Sequence, residues 1–325
     1  MTSIELIRAA QARLDGKARK TPLLSSPFLD ERAGRRVLVK AECLQHTGSF
    51  KFRGGWSAVS ALTPEERSKG VIAFSSGNHA QGVAAAAKAH DAPAVIIMPA
   101  DAPKLKIDNT RALGAEVVLY DRAGGEERET IGQELSQARG LTLIKPYDDA
   151  QVIAGQGTCG LEIAEQASAA GIETADVLVC CGGGGLTSGI ALALAAQAPG
   201  LRVRPVEPEG FDDTKRSLQT GEICSNTRGS GSICDAILTP SPGDLTFPIL
   251  QRHCGPGIAV SEAEALHAMA LAFSRLKLVI EPGGAVALAA ALFHPDKIDG
   301  ESVIAVATGG NVDPTLFQKA LQAYA

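Results

Sequence analysis

The sequence lacks the basic charge and the long apolar run that nucleic-acid-binding and membrane-spanning proteins show. Its 31 lysine and arginine residues are outnumbered by 36 aspartate and glutamate residues, so its formal net charge at pH 7 is −5. A nucleic-acid-binding surface would need a basic patch, and we expect none. The apolar stretches are short and are broken by glycine, proline or charge, whereas a transmembrane helix needs about 18 consecutive apolar residues. We therefore expect no membrane-spanning segment.

Signs of export are also missing. Segment 1–20 contains acidic and basic residues and lacks the apolar core of a signal peptide. The seven cysteines are scattered, and no two of them form the C-x-x-C pair that is typical of zinc ribbons and thioredoxin-like sites. We interpret them as reduced, small apolar side chains of a cytoplasmic protein.

What the sequence does contain is the pattern of an α/β protein. Its 325 residues, 45% of them hydrophobic, are enough for two domains or one large unit. Short, continuously apolar runs alternate with longer Ala- and Leu-rich segments, which predicts βαβ units and parallel sheets covered by helices on both faces. No repeat or long linker is visible, so a second domain would be inserted in the first. The predicted strands are 37–40, 71–75, 94–98, 116–120, 141–145, 177–180, 203–207 and 303–307.

Three polar or glycine-rich motifs follow predicted strands. SSGNH (75–79), CGGGGL (181–186) and ATGGN (307–311) come after the strands that begin at Val71, Val177 and Val303. Ligands of open α/β sheets bind beyond the carboxyl ends of the strands. The three motifs are therefore predicted to form one site.

The glycine-rich motif has the character of a phosphate cradle. Glycines leave backbone N–H groups free to converge on an anion, and the start of the following helix adds a favourable dipole. A dinucleotide-binding G-x-G-x-x-G motif would need glycine where the chain has Thr187 or Ser188, and a P-loop would need Gly-Lys-Ser/Thr. The proposed cradle consists of Gly182, Gly183, Gly184, Gly185 and the amide of Leu186.

A lysine between two aromatic residues is the candidate reactive group. Lys51 lies between Phe50 and Phe52 in HTGSFKFRGG, and desolvation there would lower its pKa and favour imine chemistry. Taken alone, this lysine is equally compatible with a solvated charge at a helix start. The SSGNH motif likewise supplies hydroxyls and an amide donor, or it simply caps a helix.

Five segments taken together carry a family resemblance. HTGSFKFRG, SSGNHAQG, CGGGGL, EPGGA and TGGN occur in this order at spacings that resemble the fold-type-II pyridoxal-phosphate enzymes, above all the serine/threonine dehydratase and serine racemase family. The resemblance covers essentially the whole chain. It implies an α/β fold like that of tryptophan synthase β, with two open, parallel-rich sheets. It also implies a large cofactor-binding domain (1–70 and 149–325), an inserted small domain (71–148), no C-terminal regulatory domain, and a homodimer.

The resemblance also assigns the cofactor contacts. Lys51, with Phe50 beside it, would carry pyridoxal 5′-phosphate and later act as the base at the substrate Cα. Asn78 would bind the 3′-oxygen of the cofactor, and the glycine cradle would bind its phosphate. Thr308 would face the pyridine nitrogen, where relatives commonly have serine. A neutral hydroxyl need not protonate this nitrogen, which favours prompt β-elimination over a long-lived carbanion.

Substrate and metal contacts are implied in the same way. Ser76 matches the residue that serves racemases as acid/base on the face opposite the lysine. Arg128 matches a position that contacts a ligand carboxylate, although it would equally suit an exposed helix. The SSGNH motif would bind the substrate carboxylate through Ser75, Ser76, Gly77, Asn78 and His79. A structural or activating Mg²⁺ or Ca²⁺ ion would bind at Glu207, Phe211 and Asp213, where the alternative is a solvated acidic loop.

The function implied is β-elimination from a small 3-hydroxy amino acid, such as L-threonine or L-serine, to a 2-oxo acid and ammonium. The segment SICDA (232–236) departs from the TIADG-like sequence of many dehydratases, and the TPSPGDLTF that follows it departs as well, which leaves 3-hydroxyaspartate and phenylserine open as substrates. A serine-type racemase would share every motif. A β-replacement synthase fits the SSGNH loop less well, and a noncatalytic binding protein would require Lys51 to be incidental.

Overall fold

The computed structural model describes residues 2–75, 77–102, 104–121 and 124–324, except the side chain of Leu105. Within these ranges the chain forms ten strands in two sheets, and both sheets are surrounded by helices. The predicted α/β class with two parallel-rich sheets is thereby confirmed. The strands are β1 Leu23–Ser25, β2 Arg36–Lys40, β3 Val71–Phe74, β4 Ala94–Pro99, β5 Glu116–Tyr120, β6 Thr142–Leu143, β7 Ala175–Cys180, β8 Leu201–Pro208, β9 Ile258–Val260 and β10 Ser302–Val306.

Fourteen α-helices are formed by the described residues. They are α1 Ile4–Leu14, α2 Pro27–Ala33, α3 Lys51–Ala61, α4 Pro64–Lys69, α5 Asn78–Ala89, α6 Lys104–Ala112, α7 Arg128–Arg139, α8 Ala150–Ala169, α9 Gly185–Gln197, α10 Asp213–Thr220, α11 Phe247–His253, α12 Glu262–Leu276, α13 Pro282–Phe293 and α14 Pro314–Tyr324. Short 3₁₀ turns occur at Glu42–Leu44, His46–Gly48, Asp235–Ile237 and Pro295–Lys297. No helix in the described part of the chain is both long and apolar enough to cross a membrane.

The larger sheet has the strand order β1-β2-β10-β7-β8-β9. Only β1 and β2 pair antiparallel, and the other neighbours are parallel. Alternate residues of its central strands belong to two different cores: Val177 and Val179 pack with α8 and α9, whereas Leu178 packs with α13. Both faces are therefore covered by helices, which is why these strands are apolar throughout.

The smaller sheet has the order β5-β4-β3-β6 and is parallel throughout. All four of its strands come from the segment between residues 71 and 143. Its faces are also packed separately, since Ala73 and Ile96 join one buried cluster and Ile72 and Ile97 join another. The predicted domain limits, 71 and 148, stay a prediction.

A buried ion-pair network holds the helix that begins with Lys51. Arg53, in the first turn of α3, is 1% exposed and donates to both carboxylate oxygens of Glu42, at 2.7 and 2.8 Å. It also donates to both oxygens of Glu162 on α8, at 2.7 and 2.9 Å, and Lys40 on β2 pairs with the same carboxylate. Burial opposes ionisation of Glu42, but the charge and hydrogen bonds of Arg53, together with Lys40 and Thr21, hold the pKa of Glu42 below its usual value. The network thus joins β2, α3 and α8.

Loss of one member should destabilise the fold strongly, because it leaves other buried charges uncompensated. We expect Glu42→Gln to lower the free energy of unfolding by about 3–5 kcal/mol. The matched control is Glu165→Gln, which removes the exposed ion pair with Lys20 and should change stability by less than about 1 kcal/mol. Urea unfolding of the two variants measures the difference, and equal midpoints would show that the buried network does not stabilise the fold.

Candidate active site

A cavity of about 260 Å³ opens at the carboxyl ends of β3, β7 and β10. These strand ends lead directly into SSGNH, the glycine motif and TGGN, so the topology brings the three motifs together. Residues of HTGSFKFRG and EPGGA complete the lining. The structure therefore places all five segments of the family resemblance around one cavity.

Lys51 lies inside this cavity rather than on the surface. It is the first residue of α3, and its Nζ donates a hydrogen bond to the Pro146 carbonyl at 2.8 Å. The Nζ atom also lies 5.2 Å from the centre of the Phe50 ring. Desolvation lowers the pKa of Lys51 to about 8, although Cys180 and Glu281 act in the opposite direction. Far more of this amine is therefore uncharged near neutral pH than of an ordinary lysine, and the uncharged amine is the state that forms imines and accepts protons.

The glycine motif leaves no room for side chains. A Cβ atom on Gly183 would lie 2.2 Å from the Tyr147 ring, and one on Gly185 would lie 2.9 Å from the Tyr147 Cα. Gly184 has a φ of +91°, in the left-handed region that favours glycine, and α9 begins immediately afterwards. The backbone N–H groups of the helix start thus face the cavity without side chains in the way. This arrangement fits a phosphate group.

Asn78 and Thr308 take defined positions on the cavity wall. Asn78 begins α5, and its amide is held between Glu281 and Asn311 by hydrogen bonds of 2.6 and 2.7 Å. Thr308 is buried, and its Oγ1 lies 3.1 Å from the Cys180 Sγ. Burial raises the pKa of the Cys180 thiol to about 12. The Cys180 thiol beside Thr308 is therefore uncharged. This fits the predicted role of Thr308 as a neutral contact to the pyridine nitrogen.

The substrate-binding residues predicted in SSGNH lie partly on the cavity wall. Ser75, Gly77 and His79 line it, while Ser76 lies outside the described residues. The Ser75 hydroxyl accepts a hydrogen bond from the Gly77 N–H at 3.1 Å. His79 is buried, its Nε2 donates to the Ile144 carbonyl at 2.9 Å, and desolvation lowers its pKa to about 3. This histidine is therefore neutral, and its Nδ1 has no hydrogen-bond partner among the described residues.

Two cations face the cavity from helices beside the smaller sheet. Arg128 begins α7 and Lys106 lies in α6, and both line the cavity. The Arg128 Nε donates to Glu129 at 2.7 Å, and the Lys106 Nζ lies 3.4 Å from Asp235. Arg128 lines the cavity, but its side chain is 49% exposed, and its contact with a ligand carboxylate stays a prediction.

Several lining residues were not predicted to belong to the site, among them Lys106, Tyr147, Asp235 and Glu281. Two of these lie in segments that the sequence singles out, since Glu281 heads EPGGA and precedes a proline at a helix start, and Asp235 lies in SICDA. Lys106 and Tyr147 reach the cavity through long-range packing, for which the sequence has no local pattern.

The residues predicted to bind a metal ion lie away from this cavity. Glu207 accepts the backbone N–H groups of Thr214 and Lys215 at 2.9 and 2.8 Å. Burial, reinforced by the nearby Asp213, raises the pKa of Glu207 to about 8. The Asp213 Oδ2 is buried and has no hydrogen-bond partner in the described part of the chain, and Phe211 is buried nearby, so this donor set fits a hard cation. Among the described residues no group of three His, Cys, Asp or Glu side chains could hold a metal, and the ion stays a prediction.

The packing of the glycine motif generates a test. We expect Gly183→Ala to weaken cofactor binding about 5- to 150-fold, because overpacking against Tyr147 costs about 1–3 kcal/mol. Gly229→Ala is the matched control, since a Cβ there would meet no atom within 4 Å. Titration of the cofactor-free protein with pyridoxal phosphate measures both. If the two variants bound pyridoxal phosphate with equal affinity, the glycine motif would not be the phosphate-binding site.

Comparisons with known proteins agree with the geometry. Residues 14–309 match a family model described as pyridoxal-phosphate dependent enzyme. An L-threo-3-hydroxyaspartate ammonia-lyase from Pseudomonas sp. is 44% identical, with 95% of each chain covered. A serine racemase from Dictyostelium discoideum is 41% identical, covering 97% of this chain and 96% of the relative. The crystal structure of a threonine deaminase from T.th. superposes with a TM-score of 0.89 and 44% identity, covering 96% of this chain and 99% of that one.

These matches confirm the resemblance inferred from the five motifs and, with it, the enzyme class and the cofactor. The alternative of a noncatalytic binding protein is set aside. Sequence, fold and cavity agree, and the chain belongs to the family of pyridoxal-phosphate-dependent enzymes that includes threonine ammonia-lyase, serine racemase and hydroxyaspartate ammonia-lyase.

Proposed function

We propose that this enzyme removes water and ammonia from a small 3-hydroxy amino acid and prefers one with an acidic side chain, 3-hydroxyaspartate. The observation that carries the proposal is the presence of two further cations, Lys106 and Arg128, in the lining of the cavity that holds the Lys51 amine. A substrate that carries a second carboxylate would match this arrangement.

Lys51 is the proposed base. Bound pyridoxal phosphate supplies an electron sink for negative charge at the substrate Cα. Once free of the cofactor, the Lys51 amine takes the Cα proton, and its pKa of about 8 suits that task near neutral pH. The hydrogen bond from its Nζ to the Pro146 carbonyl holds the amine at the cavity wall.

Loss of the β-hydroxyl completes the elimination. The Cα–H and Cβ–O bonds break, a carbon–carbon double bond forms, and the hydroxyl leaves as water when the proton that Lys51 took from Cα is passed to it. The released enamine tautomerises and is hydrolysed to a 2-oxo acid and ammonium. Thr308, beside the neutral Cys180 thiol, offers no charge to keep a proton on the ring nitrogen. A weaker electron sink favours departure of the hydroxyl over reprotonation at Cα.

The acidic side chain of the substrate is proposed from the two cations. Arg128 offers a planar set of donors that suits a carboxylate, and Lys106 adds a second charge. The Lys106 Nζ lies 3.4 Å from the Asp235 carboxylate, and this contact supports a carboxylate as a partner of the amine. The relative from Pseudomonas, named for L-threo-3-hydroxyaspartate, supports the same substrate class.

Racemisation is the second candidate, because the Dictyostelium relative is a serine racemase. It needs proton transfer on both faces of Cα, and Ser76 is the residue proposed for the face opposite Lys51. We infer that elimination dominates, since a good leaving group departs before slow reprotonation. The homodimer and the Mg²⁺ or Ca²⁺ ion at Glu207, Phe211 and Asp213 stay predictions.

The first test concerns the cofactor-bearing lysine. Borohydride reduction of the yellow holoenzyme should place the mass of the cofactor on Lys51, because this amine loses its proton near pH 8. Lys51→Arg should abolish the label. Lys104→Arg, which changes a lysine with an 87% exposed side chain, should leave it intact. Peptide mass spectrometry locates the label, and finding it on another lysine would overturn the assignment.

The second test concerns the substrate. We expect Arg128→Gln to lower kcat/KM for L-threo-3-hydroxyaspartate about 10- to 150-fold, since a hydrogen bond to a charged group contributes about 1.5–3 kcal/mol. The loss for L-serine and L-threonine should be much smaller. Arg139→Gln is the matched control, because Arg139 ends the same helix and pairs with Glu116 on the surface.

The measurement is a 2-oxo acid and ammonium assay combined with chiral analysis of the remaining amino acid. Equal losses on all substrates would remove Arg128 from side-chain recognition. Formation of the opposite isomer with little 2-oxo acid would replace the lyase assignment with the racemase.

A further inference from the structure

Glu281 lies at the start of a helix without capping it. It is the N-cap residue of α13, yet its side chain makes no capping hydrogen bond, although Asp at such a position commonly accepts one. Its carboxyl group turns into the cavity instead, where Oε1 accepts a hydrogen bond from the Asn78 Nδ2 at 2.6 Å. The residue is only 5% exposed, and burial raises its pKa to about 7. Burial of an ionisable carboxyl group lowers the stability of the fold, so the contact between Glu281 and Asn78 needs a functional explanation.

The hydrogen bonds continue on the other side of Asn78. The Asn311 Nδ2 donates to the Asn78 Oδ1 at 2.7 Å and to the Thr47 carbonyl at 2.8 Å. A backbone carbonyl can only accept, and the ionised form of the Glu281 carboxyl group also only accepts. The acceptors at the two ends therefore determine which way both amides point. Asn78 receives a hydrogen bond on its oxygen and gives one from its nitrogen.

One donor of Asn78 is left over. An amide nitrogen carries two hydrogens, and Glu281 takes one of them. Asn78 lines the cavity, so the remaining N–H lies beside the place of the cofactor. An amide turned the other way would present an oxygen there, and that oxygen would repel the phenolic oxygen of the cofactor.

We propose that Glu281 and Asn311 are positioning residues that lock the Asn78 amide in the orientation that leaves an N–H for the 3′-oxygen of pyridoxal phosphate. They act through Asn78 and need not touch the cofactor themselves. The three residues link EPGGA, SSGNH and TGGN, which are far apart in the chain, into one unit.

Gly309 fits this arrangement. A Cβ atom on Gly309 would lie 2.1 Å from the Glu281 Oε1, so a side chain at this position would push the carboxyl group away. The Glu281 N–H donates to the Gly309 carbonyl at 2.9 Å, which holds the two segments together. The glycine of TGGN thus makes room for the carboxylate that orients Asn78.

The experiment compares two cofactors on the cofactor-free protein: pyridoxal phosphate and its 3-deoxy analogue, which lacks the 3′-oxygen. Glu281→Ala should weaken binding of pyridoxal phosphate about 10- to 100-fold, the range expected for a lost hydrogen bond to a charged group. Glu281→Gln keeps an acceptor for the Asn78 N–H and should lose much less. Asn311→Asp places an acceptor against the Asn78 oxygen and should weaken binding as Glu281→Ala does. All three variants should bind the deoxy analogue as the wild type does.

A double-mutant cycle separates this role from general stabilisation. In an Asn78→Ala background, Glu281→Ala should not weaken cofactor binding further, because its effect passes through the missing amide. Glu301→Gln, which changes an exposed acid, is the control and should leave the affinity unchanged. Equal losses for the two cofactors, or additive losses in the cycle, would overturn the proposal. Glu281→Gln and Asn311→Asp preserve side-chain size, so they decide the matter if Glu281→Ala fails to fold.

Discussion

The parallel pairing of β10 with its two neighbours is the constraint on which the site depends. Val306 on β10 is paired with Val179 on β7 and with Lys40 on β2. This register places the turn after β10 beside the glycine motif on one side and beside the segment that leads to Lys51 on the other. The Phe50 N–H donates to the Thr308 carbonyl at 3.1 Å, so the lysine and the proposed ring contact are tied together through the backbone. The cofactor-binding geometry thus follows from sheet hydrogen bonds, which do not depend on the mobility of side chains.

Charge burial completes this positioning. Arg53 lies two residues after Lys51 and is held by Glu42 and Glu162, so the first turn of α3 cannot shift without exposing or separating buried charges. Such a network contributes little net stability over an apolar core of the same volume, but it penalises displacement strongly. The same helix begins with Lys51, the residue proposed to carry the cofactor and to act as the base. We interpret the network as the device that keeps the Lys51 amine at the cavity wall.

The sequence predicted the parts of this architecture that are encoded locally. The eight predicted strands correspond to β2–β8 and β10, and the missed strands, Leu23–Ser25 and Ile258–Val260, are only three residues long, too short for a hydrophobic pattern. The placement of Lys51 and the glycine motif could be predicted because strand ends and loop composition are visible in the chain. Glu281 could not be assigned a role, since its contact with Asn78 joins residues 203 positions apart. Lys106 and Tyr147 reach the cavity only through the packing of the two sheets.

The residues that line the cavity come from different parts of the fold. The turns of the larger sheet supply the glycine motif and Thr308, and Thr308 lies beside a Cys180 thiol that burial keeps uncharged. Arg128 and Lys106 come from helices beside the smaller sheet. Lyases and racemases of one family can therefore share the contacts from the larger sheet and differ in the contacts from the helices beside the smaller sheet. Substitutions in those helices leave the register of the larger sheet unchanged. Under the proposed function, the charges of Arg128 and Lys106 select the substrate, while the contacts from the larger sheet hold the cofactor.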